Sequence, residues 1–173
     1  MKKLSVLLVI GGLFIAAPAF SQTQTTIASL RTITASTTTP YFITDAGREG
    51  LFYYDSKDLT SADNGGTVIV NGTKRFKRMY SGALDVRWFG MKGDWNGSAG
   101  TDNTDAFLAA LAAAGKNQVV VVPQGGYYVK GSIALPLTQT KKVYVEVYGD
   151  IYFGKGSGFI IEGQNQSLKC YGL

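Results

Sequence analysis

Hydrophobic runs of strand length recur at a constant interval along the C-terminal half of the chain. They form three series: Val119–Val122, Val143–Val147 and Leu168–Tyr171; Tyr127–Val129 and Ile151–Phe153; Ile133–Leu135 and Phe159–Ile161. The period is about 25 residues in every series, and a period of this length with three short strands per turn is typical of a parallel β-helix. In such a fold each coil buries its inward residues against the next. We therefore predict a mainly β fold that contains the start of a parallel β-helix.

One helix, spanning about residues 103–114, is predicted just before the repeat. Its narrow apolar face is headed by Phe107 and Leu111. Thr101 and Asp102 are suitable N-cap residues, and Gly115 is placed to end the helix as a C′ residue. The large pair Trp88–Phe89 lies upstream, where it is expected to plug the open end of the β-helix rather than to stack on a sugar.

A different pattern, that of a small antiparallel β element, covers residues 41–84. Strands are predicted at residues 41–44, 51–55, 67–70 and 74–80, with polar or glycine-rich turns between them. Asn71–Gly72 is the strongest of the turn motifs because both residues tolerate positive φ. We expect Val68, Val70, Phe76 and Tyr80 to bury one face of this element, which we call the leader.

The segment before the leader has the composition of an export signal followed by a linker. Lys2–Lys3, the apolar stretch 6–17 and the small residues around Ser21–Gln22 predict a cleaved signal peptide over residues 1–21. The apolar stretch is too short to be a stable membrane span. Residues 22–40 are rich in Thr and Ser, which predicts an extended linker or an edge strand. The mature protein is accordingly expected to be exported, to the periplasm, the cell surface or the medium.

Composition narrows the chemistry further. The chain of 173 residues has a formal net charge of +5, of which Lys2 and Lys3 contribute two. The remaining cations are dispersed except at 74–78, where alternation with apolar residues favours a solvated strand face over a nucleic-acid site. There is no histidine, which removes the commonest general base and metal ligand. The single cysteine, Cys170, excludes an intrachain disulfide and is expected to be a buried strand residue.

Two groups of carboxylates are candidates for a metal-binding or catalytic site. Asp94, Asp102 and Asp105 could suggest a calcium loop or a carboxylate pair, but their spacing is irregular, and loop hydrogen bonds and helix capping account for them. Glu146, Asp150 and Glu162 are solvent-side candidates on strands and turns, without an obvious pair. We assign no catalytic, cofactor-binding or metal-binding residue, and predict no cofactor.

Three segments of the chain resemble a known family. They are WFGMKGD at 88–94, TDNTDAF at 101–107 and VVPQGGYYV at 121–129. Together they resemble the N-terminal signature of the pectate lyase-like superfamily, in its rhamnogalacturonase/epimerase-like subgroup. That subgroup is shared by exported polysaccharide enzymes and phage tail spikes. The run from residue 50 to residue 82 looks like the leader that precedes this signature in tail-spike-like proteins.

The resemblance implies a right-handed single-stranded parallel β-helix over residues 85–173, with the helix capping its N-terminal end. In the family the signature residues are structural, and catalytic residues lie on later coils. This chain departs from the pattern in a longer loop between Gly93 and Thr101, which carries Trp95 and whose role the sequence does not define.

Two functions follow as expectations. The first is the N-terminal part of an exported polysaccharide-binding or polysaccharide-degrading protein, a lyase or a glycoside hydrolase, with no complete active site in this chain. The second is a structural or adhesive spike-like module without catalysis, for which a homotrimer would be expected. Polysaccharide is the expected partner of the full-length protein, and nucleic acid is not. Because the third coil has barely begun at Leu173, we expect either a continuing chain or an oligomer to cover the open edge, and we favour the continuing chain.

Overall fold

The computed structural model of the chain describes residues 22–135, 142–161 and 167–170. The predicted signal peptide, 1–21, lies outside the described residues, as does Glu162. The strands are β1 Thr23–Thr25, β2 Tyr41–Ile43, β3 Gly50–Asp55, β4 Val68–Asn71, β5 Lys74–Arg78, β6 Leu84–Asp85, β7 Gln118–Val122, β8 Gly126–Val129, β9 Ile133–Ala134, β10 Val143–Val147, β11 Asp150–Phe153, β12 Phe159–Ile160 and β13 Ser167–Cys170. The helices are α1 Ile27–Leu30, α2 Thr104–Ala113 and a 3-10 helix at Val86–Phe89. The predicted mainly β class is confirmed.

The leader is larger than predicted, because residues 22–40 also belong to it, and it forms a five-stranded sheet in the order β1-β2-β3-β5-β4. Strands β2 to β5 are antiparallel to one another, and β1 adds to the edge in parallel with β2. The segment 22–40, predicted as a linker or an edge strand, thus supplies an edge strand and the short helix α1. Ile27 and Leu30 of α1 are buried in the core of the leader with Phe52, Ile69 and Phe76.

The buried face of the leader differs from the predicted one. Ile69 and Phe76 are directly paired across β4 and β5, and both are fully buried. Paired residues share a face, so Val68 and Val70 lie on the opposite face, beside Lys77 and Arg75. Tyr80 follows β5 and is exposed. The expectation that Val68 and Val70 are buried with Phe76 was therefore wrong by one residue of register, and Tyr80 is exposed because it lies beyond the end of the strand.

The repeated strands form three parallel sheets. The largest has the order β13-β10-β7-β6, and two smaller ones pair β11 with β8 and β12 with β9. The registers join Val120 to Val145, Tyr127 to Ile151 and Ile133 to Phe159, which confirms the three predicted series. Inward residues alternate with outward ones along β7 and β10, and the inward valines are buried in one core with Phe107, Leu111 and Tyr127.

Helix α2 packs on this core as expected, and Gly115 follows its C-cap residue Ala114 as predicted, but its N-cap residue differs from the two predicted. Its N-cap position is Asn103, whose buried side chain bonds the backbone of Lys92, Thr101 and Tyr128 instead of the helix. Asp102 lies one residue further out and accepts from the Thr104 N–H at 3.0 Å. At the C-terminus Ala114 is extended, and Gly115 donates its N–H to the Gln118 side chain at 2.8 Å. The positive φ in this turn belongs to Asn117, at 59°.

The leader is joined to the rest of the chain by two arginines. Arg78 is buried and donates to the carbonyls of Arg48, Glu49 and Gly66 at 2.7–3.0 Å. Its guanidinium lies between the rings of Phe52 and Trp88, 4.7 and 4.6 Å from their centroids. Arg48 donates to the Trp88 carbonyl at 3.1 Å. Trp88 also packs against the core of the parallel sheets, so it contacts both parts of the molecule.

Candidate functional site

The outer face of the two-stranded sheet β8–β11 carries a group of three aromatic side chains. Trp95 stacks on Tyr128 with ring centroids 4.9 Å apart and planes 18° apart. Tyr152 meets Trp95 at 5.8 Å in a tilted arrangement. Trp95 and Tyr128 are half-buried, and Tyr152 is 44% exposed. We call these three residues the aromatic strip.

Strand alternation places the two tyrosines of the strip. Tyr127 is inward and buried, so Tyr128 must face outward. Tyr152 is the direct partner of Tyr128 in the next repeat and faces outward for the same reason. Gly126 leaves space beside them, because a Cβ atom there would lie 3.2 Å from the Trp95 carbonyl oxygen and 3.5 Å from the Tyr152 ring.

The long loop predicted between Gly93 and Thr101 places the tryptophan. Asp94 bridges to Gly126 and Asp102 bridges to Tyr128, both in parallel, so the chain on each side of the loop runs along β8. Asp94 and Asp102 are eight positions apart, whereas their partners Gly126 and Tyr128 are two apart. The loop is therefore an insertion into an extended segment that runs parallel to β8. Trp95 is the first residue of this insertion, and its N–H donates to the Gly126 carbonyl at 3.0 Å.

Polar contacts close the loop at its base and at its tip. The Asp94 carboxylate accepts from the N–H and the hydroxyl of Thr101, at 2.8 and 2.7 Å. The Asn96 side chain accepts from the N–H groups of Ser98 and Ala99, which forms a tight turn at the tip. The loop therefore holds Trp95 on Tyr128 without help from another chain.

Asp94, Asp102 and Asp105, the three aspartates considered in the sequence, have structural roles. Hydrogen bonds from Thr101 hold the pKa of Asp94 below its usual value, and the Thr104 hydroxyl does the same for the pKa of Asp102. Asp102 also accepts from the Lys130 N–H at 3.1 Å, and Asp105 lies in the first turn of α2. Among the residues that the structure describes, no group of three His, Cys, Asp or Glu side chains could hold a metal ion.

Of the three solvent-side carboxylates, the structure describes two, and they lie on different sheets. Asp150 begins β11 and is exposed on the outer face that carries the aromatic strip. Glu146 lies on β10 and accepts from the Tyr148 hydroxyl at 3.2 Å. Cys170 ends β13, and the burial of its side chain stays a prediction. Among the described residues β13 is the outermost strand of its sheet.

The basic cluster 74–78 is strand β5, and three of its cations are bonded within the chain. Arg78 is buried where the leader meets the parallel sheets, and Arg75 donates to the carbonyls of Ser61 and Gly72. Lys77 forms an ion pair with Asp58. This contact, with further hydrogen bonds from Ser61 and Thr60, holds the pKa of the Asp58 carboxyl well below its usual range.

Trp88 and Phe89 belong to the packing of the molecule, as predicted. Phe89 is buried in the core of the parallel sheets, and its ring fills the space in front of Gly66 of the leader. The aromatic strip, by contrast, is not identified by the sequence analysis. The outward position of Tyr128 and Tyr152 could have been derived from the repeat, because the residues before them, Tyr127 and Ile151, occupy the inward position.

Comparison with known proteins gives the class of protein to which this architecture is similar. Residues 23–81 match the family described as the phage tail protein small four-stranded beta-sheet domain. The match covers the leader, in which four strands are antiparallel and β1 is added at the edge. The leader is therefore similar to this tail domain, and the match begins at residue 23, within the segment predicted as a linker or an edge strand.

Solved tailspike structures share the fold over a larger part of the chain. The enzymatically active domain of tailspike protein 2 from bacteriophage CBA120 matches 83% of this chain and 26% of its own, with a TM-score of 0.57 at 16% identity. The full-length tailspike protein 2 of the Escherichia coli O157:H7 phage matches 89% and 24%, with a TM-score of 0.54 at 15% identity. The tailspike of Acinetobacter baumannii phage AM24 matches 84% and 30%, with a TM-score of 0.51 at 22% identity. The chain thus spans 24–30% of the length of these structures, and the similarity is one of fold.

None of the helices in the described ranges has both the length and the apolar character needed to cross a membrane.

Proposed function

We propose that this chain is the N-terminal part of an exported, tailspike-like protein that binds or degrades a polysaccharide. The parallel sheets are, in this proposal, the first coils of a right-handed single-stranded β-helix of the pectate lyase-like type. The chain would then supply the part of the larger protein in which a phage tail-type leader is followed by the capped end of the β-helix.

The observation that carries the proposal is the register of the three parallel sheets. Val120 is paired with Val145, Tyr127 with Ile151 and Ile133 with Phe159, and the three offsets along the chain are nearly equal. Three different sheets with one common offset are what successive coils of a solenoid produce. Strand β13 is paired with β10 in the same sense, which supports a third coil.

Polysaccharide is supported by the resemblance of residues 88–129 to a superfamily of polysaccharide enzymes and by the similarity in fold to tailspikes. One of those matched structures is described as an enzymatically active domain. The carboxylates considered above do not converge, because Asp94 and Asp102 are occupied by loop contacts, and Glu146 and Asp150 belong to different sheets. Catalysis is therefore proposed for coils beyond this segment.

A depolymerisation assay tests the proposal. The 173-residue chain and a longer protein that carries further coils would be incubated with neutral and acidic bacterial polysaccharides, followed by assays of reducing ends and of unsaturated lyase products. We expect binding by both and turnover by the longer protein only. Turnover by the shorter chain would contradict the placement of the site, and failure of both to bind would contradict the function.

The alternative is a structural or adhesive spike-like module, which the match of the leader to a phage tail domain favours. A homotrimer would be compatible with either function. Sedimentation would measure the mass in solution. A trimer without turnover by the longer protein would favour the adhesive function, and turnover would favour the enzyme.

Export is proposed from the sequence of residues 1–21 alone. Protein recovered from the periplasm or the medium after expression in bacteria should begin at or near Gln22. Mass spectrometry would measure this, and a chain that retains Met1 in the cytoplasm would contradict it.

A further inference from the structure

The aromatic strip is more extensive than the packing of its own loop requires. The stack of Trp95 on Tyr128 is sufficient to anchor the loop to the sheet. Tyr152 meets Trp95 in a tilted arrangement, with ring centroids 5.8 Å apart, and keeps 44% of its surface exposed. An apolar surface of this kind that stays accessible, with polar groups at its edge, is a feature of binding sites.

We propose that the aromatic strip, with the Asp150 carboxylate beside it, is a binding subsite for an uncharged sugar chain. This inference rests on the proposed function and names where in this segment the polysaccharide is held and which chemical class it belongs to. A pyranose ring has a face of C–H groups, which packs on the face of an aromatic ring, and an edge of hydroxyls, which hydrogen-bond to carboxylates.

The geometry fits a chain of sugars rather than a single ring. Tyr128 and Tyr152 are direct partners on the neighbouring strands β8 and β11. Neighbouring strands are about 4.8 Å apart, a distance comparable with the length of one pyranose unit. The Trp95 ring lies 4.9 Å from the Tyr128 ring and 5.8 Å from the Tyr152 ring, so the three rings form one continuous surface. An extended oligosaccharide that crosses the two strands would therefore lie along this surface.

The charges at the strip favour an uncharged ligand. Asp94 and Asp150 are both paired with Gly126 of β8, one from each side, so two carboxylates flank the strip. Asp94 is occupied by Thr101, whereas Asp150 is exposed at the start of β11, where its carboxylate is accessible to sugar hydroxyls. A uronic acid polymer would bring its own negative charge against this carboxylate, which opposes binding.

The test is a binding measurement on the full chain. An array of bacterial surface polysaccharides with neutral and uronic acid members would be probed, and the best neutral member would be titrated by calorimetry. We expect Trp95→Ala and Tyr152→Ala each to raise the Kd by about tenfold. The matched control is Tyr53→Ala on the leader, because Tyr53 is also 44% exposed and should leave the Kd unchanged.

Each other outcome has a definite meaning. If a neutral polysaccharide binds and both variants bind it as well as the native chain does, the strip is not the subsite, although the proposed function stands. Binding restricted to uronic acid members would overturn the choice of an uncharged ligand. If the native chain binds no member, both this inference and the binding function fail. Sedimentation completes the test, since a smaller mass for either variant would identify the strip as a contact between subunits and overturn the proposal.

Discussion

Arg78 shows at the level of one residue how this chain joins two cores. Its guanidinium satisfies three carbonyl groups and lies between two aromatic rings. Burial lowers the pKa of Arg78 to about 10, because the charged form loses contact with water. The planar guanidinium group has enough N–H donors for all three hydrogen bonds, and the single ammonium group of a lysine would not reproduce them.

Replacement of Arg78 should therefore be costly. Arg78→Ala leaves three carbonyls without their donor and should lower the free energy of unfolding by about 3 kcal/mol. Arg78→Lys should recover only a small part of this. Urea unfolding would measure both, with Arg31→Ala as the control. Arg31 pairs with Asp63 at an exposed position, so its loss should cost about 1 kcal/mol or less. Equal losses at both arginines would contradict this assignment.

Asp102 provides a test by pH. Its pKa is lowered in the folded chain, so its contribution to stability is full above the unfolded pKa, about 4, and is lost as the pH falls through the folded value. Asp102→Asn keeps the acceptor oxygen and removes the titration. We expect the native chain to be more stable at pH 7, with a difference that shrinks below about pH 4. Urea midpoints measured from neutral to strongly acidic pH would show this. Thr104→Val removes the hydroxyl that bonds Asp102 and should also reduce the dependence of stability on pH. If the urea midpoints of all three proteins change with pH in parallel, the assignment to Asp102 is wrong.

At the level of single residues, the sequence shows which kinds of residue lie at the ends of the helix more readily than it shows which of them takes each position. Asp102 is predicted as a capping residue, and it does bond the first turn, but the buried Asn103 takes the N-cap position. Gly115 follows the C-cap residue Ala114 as predicted, whereas the positive φ of this turn belongs to Asn117. Long-range hydrogen bonds hold both asparagines, Asn103 to Tyr128 and Asn117 to Lys142.

At the level of elements, the corners between strands set how closely the repeats stack. Gly149 and Gly154 each lie against the backbone of the preceding repeat. A Cβ at Gly149 would lie 2.5 Å from the Pro123 carbonyl oxygen and 2.6 Å from that of Gly125. Because backbone cannot move aside as a flexible side chain can, glycine is required at this corner by space rather than by φ.

Gly149→Ala should accordingly separate the two repeats locally. We expect a loss of at least about 2 kcal/mol in the free energy of unfolding. Gly158→Ala is the matched control, because a Cβ there meets nothing within 4 Å and φ is not positive. Its effect should be within about 0.5 kcal/mol. If the two substitutions cost the same in urea unfolding, the close approach at Gly149 is not what holds the repeats together.

The elements that the sequence predicts well are those that repeat. Each strand of the second repeat has a partner of similar composition one period earlier, so one misjudged position does not hide the period. The leader has no such redundancy. Its period-2 pattern is recognisable, but Ile69 lies between two valines, and composition alone does not show which of the three faces inward. The Thr-rich strand β1 carries no clear pattern of its own, and among the described strands it pairs with β2 alone.

At the scale of the whole molecule, the described residues contain two hydrophobic cores with a shared boundary. One core lies in the leader and the other inside the parallel sheets. At the boundary Phe89 occupies the space in front of Gly66, and Arg48 bonds the Trp88 carbonyl from 40 positions away. No local pattern in the sequence predicts such contacts, because they depend on where distant segments meet.

The boundary predicts coupled unfolding of the two cores. In a Trp95→Phe background, Trp88 is the only tryptophan and reports on the boundary. We expect its fluorescence and the far-UV circular dichroism to change at the same urea concentration. Gly66→Ala places a Cβ 2.5 Å from the Phe89 ring and should make the Trp88 transition occur first, whereas Gly158→Ala should not. Coincident transitions in the Gly66 variant would show that the cores are not coupled through this contact.

The loop that carries Trp95 has a consequence for how such proteins diversify. Both of its ends are fastened to β8, at Gly126 and Tyr128, so the register of the sheet does not depend on the number of residues between them. Length and composition can change at the tip, around Gly97, while the repeats stay in place. The same property makes the tip a suitable insertion point for a peptide tag or a foreign epitope, displayed beside the aromatic strip on a scaffold that is otherwise unaltered.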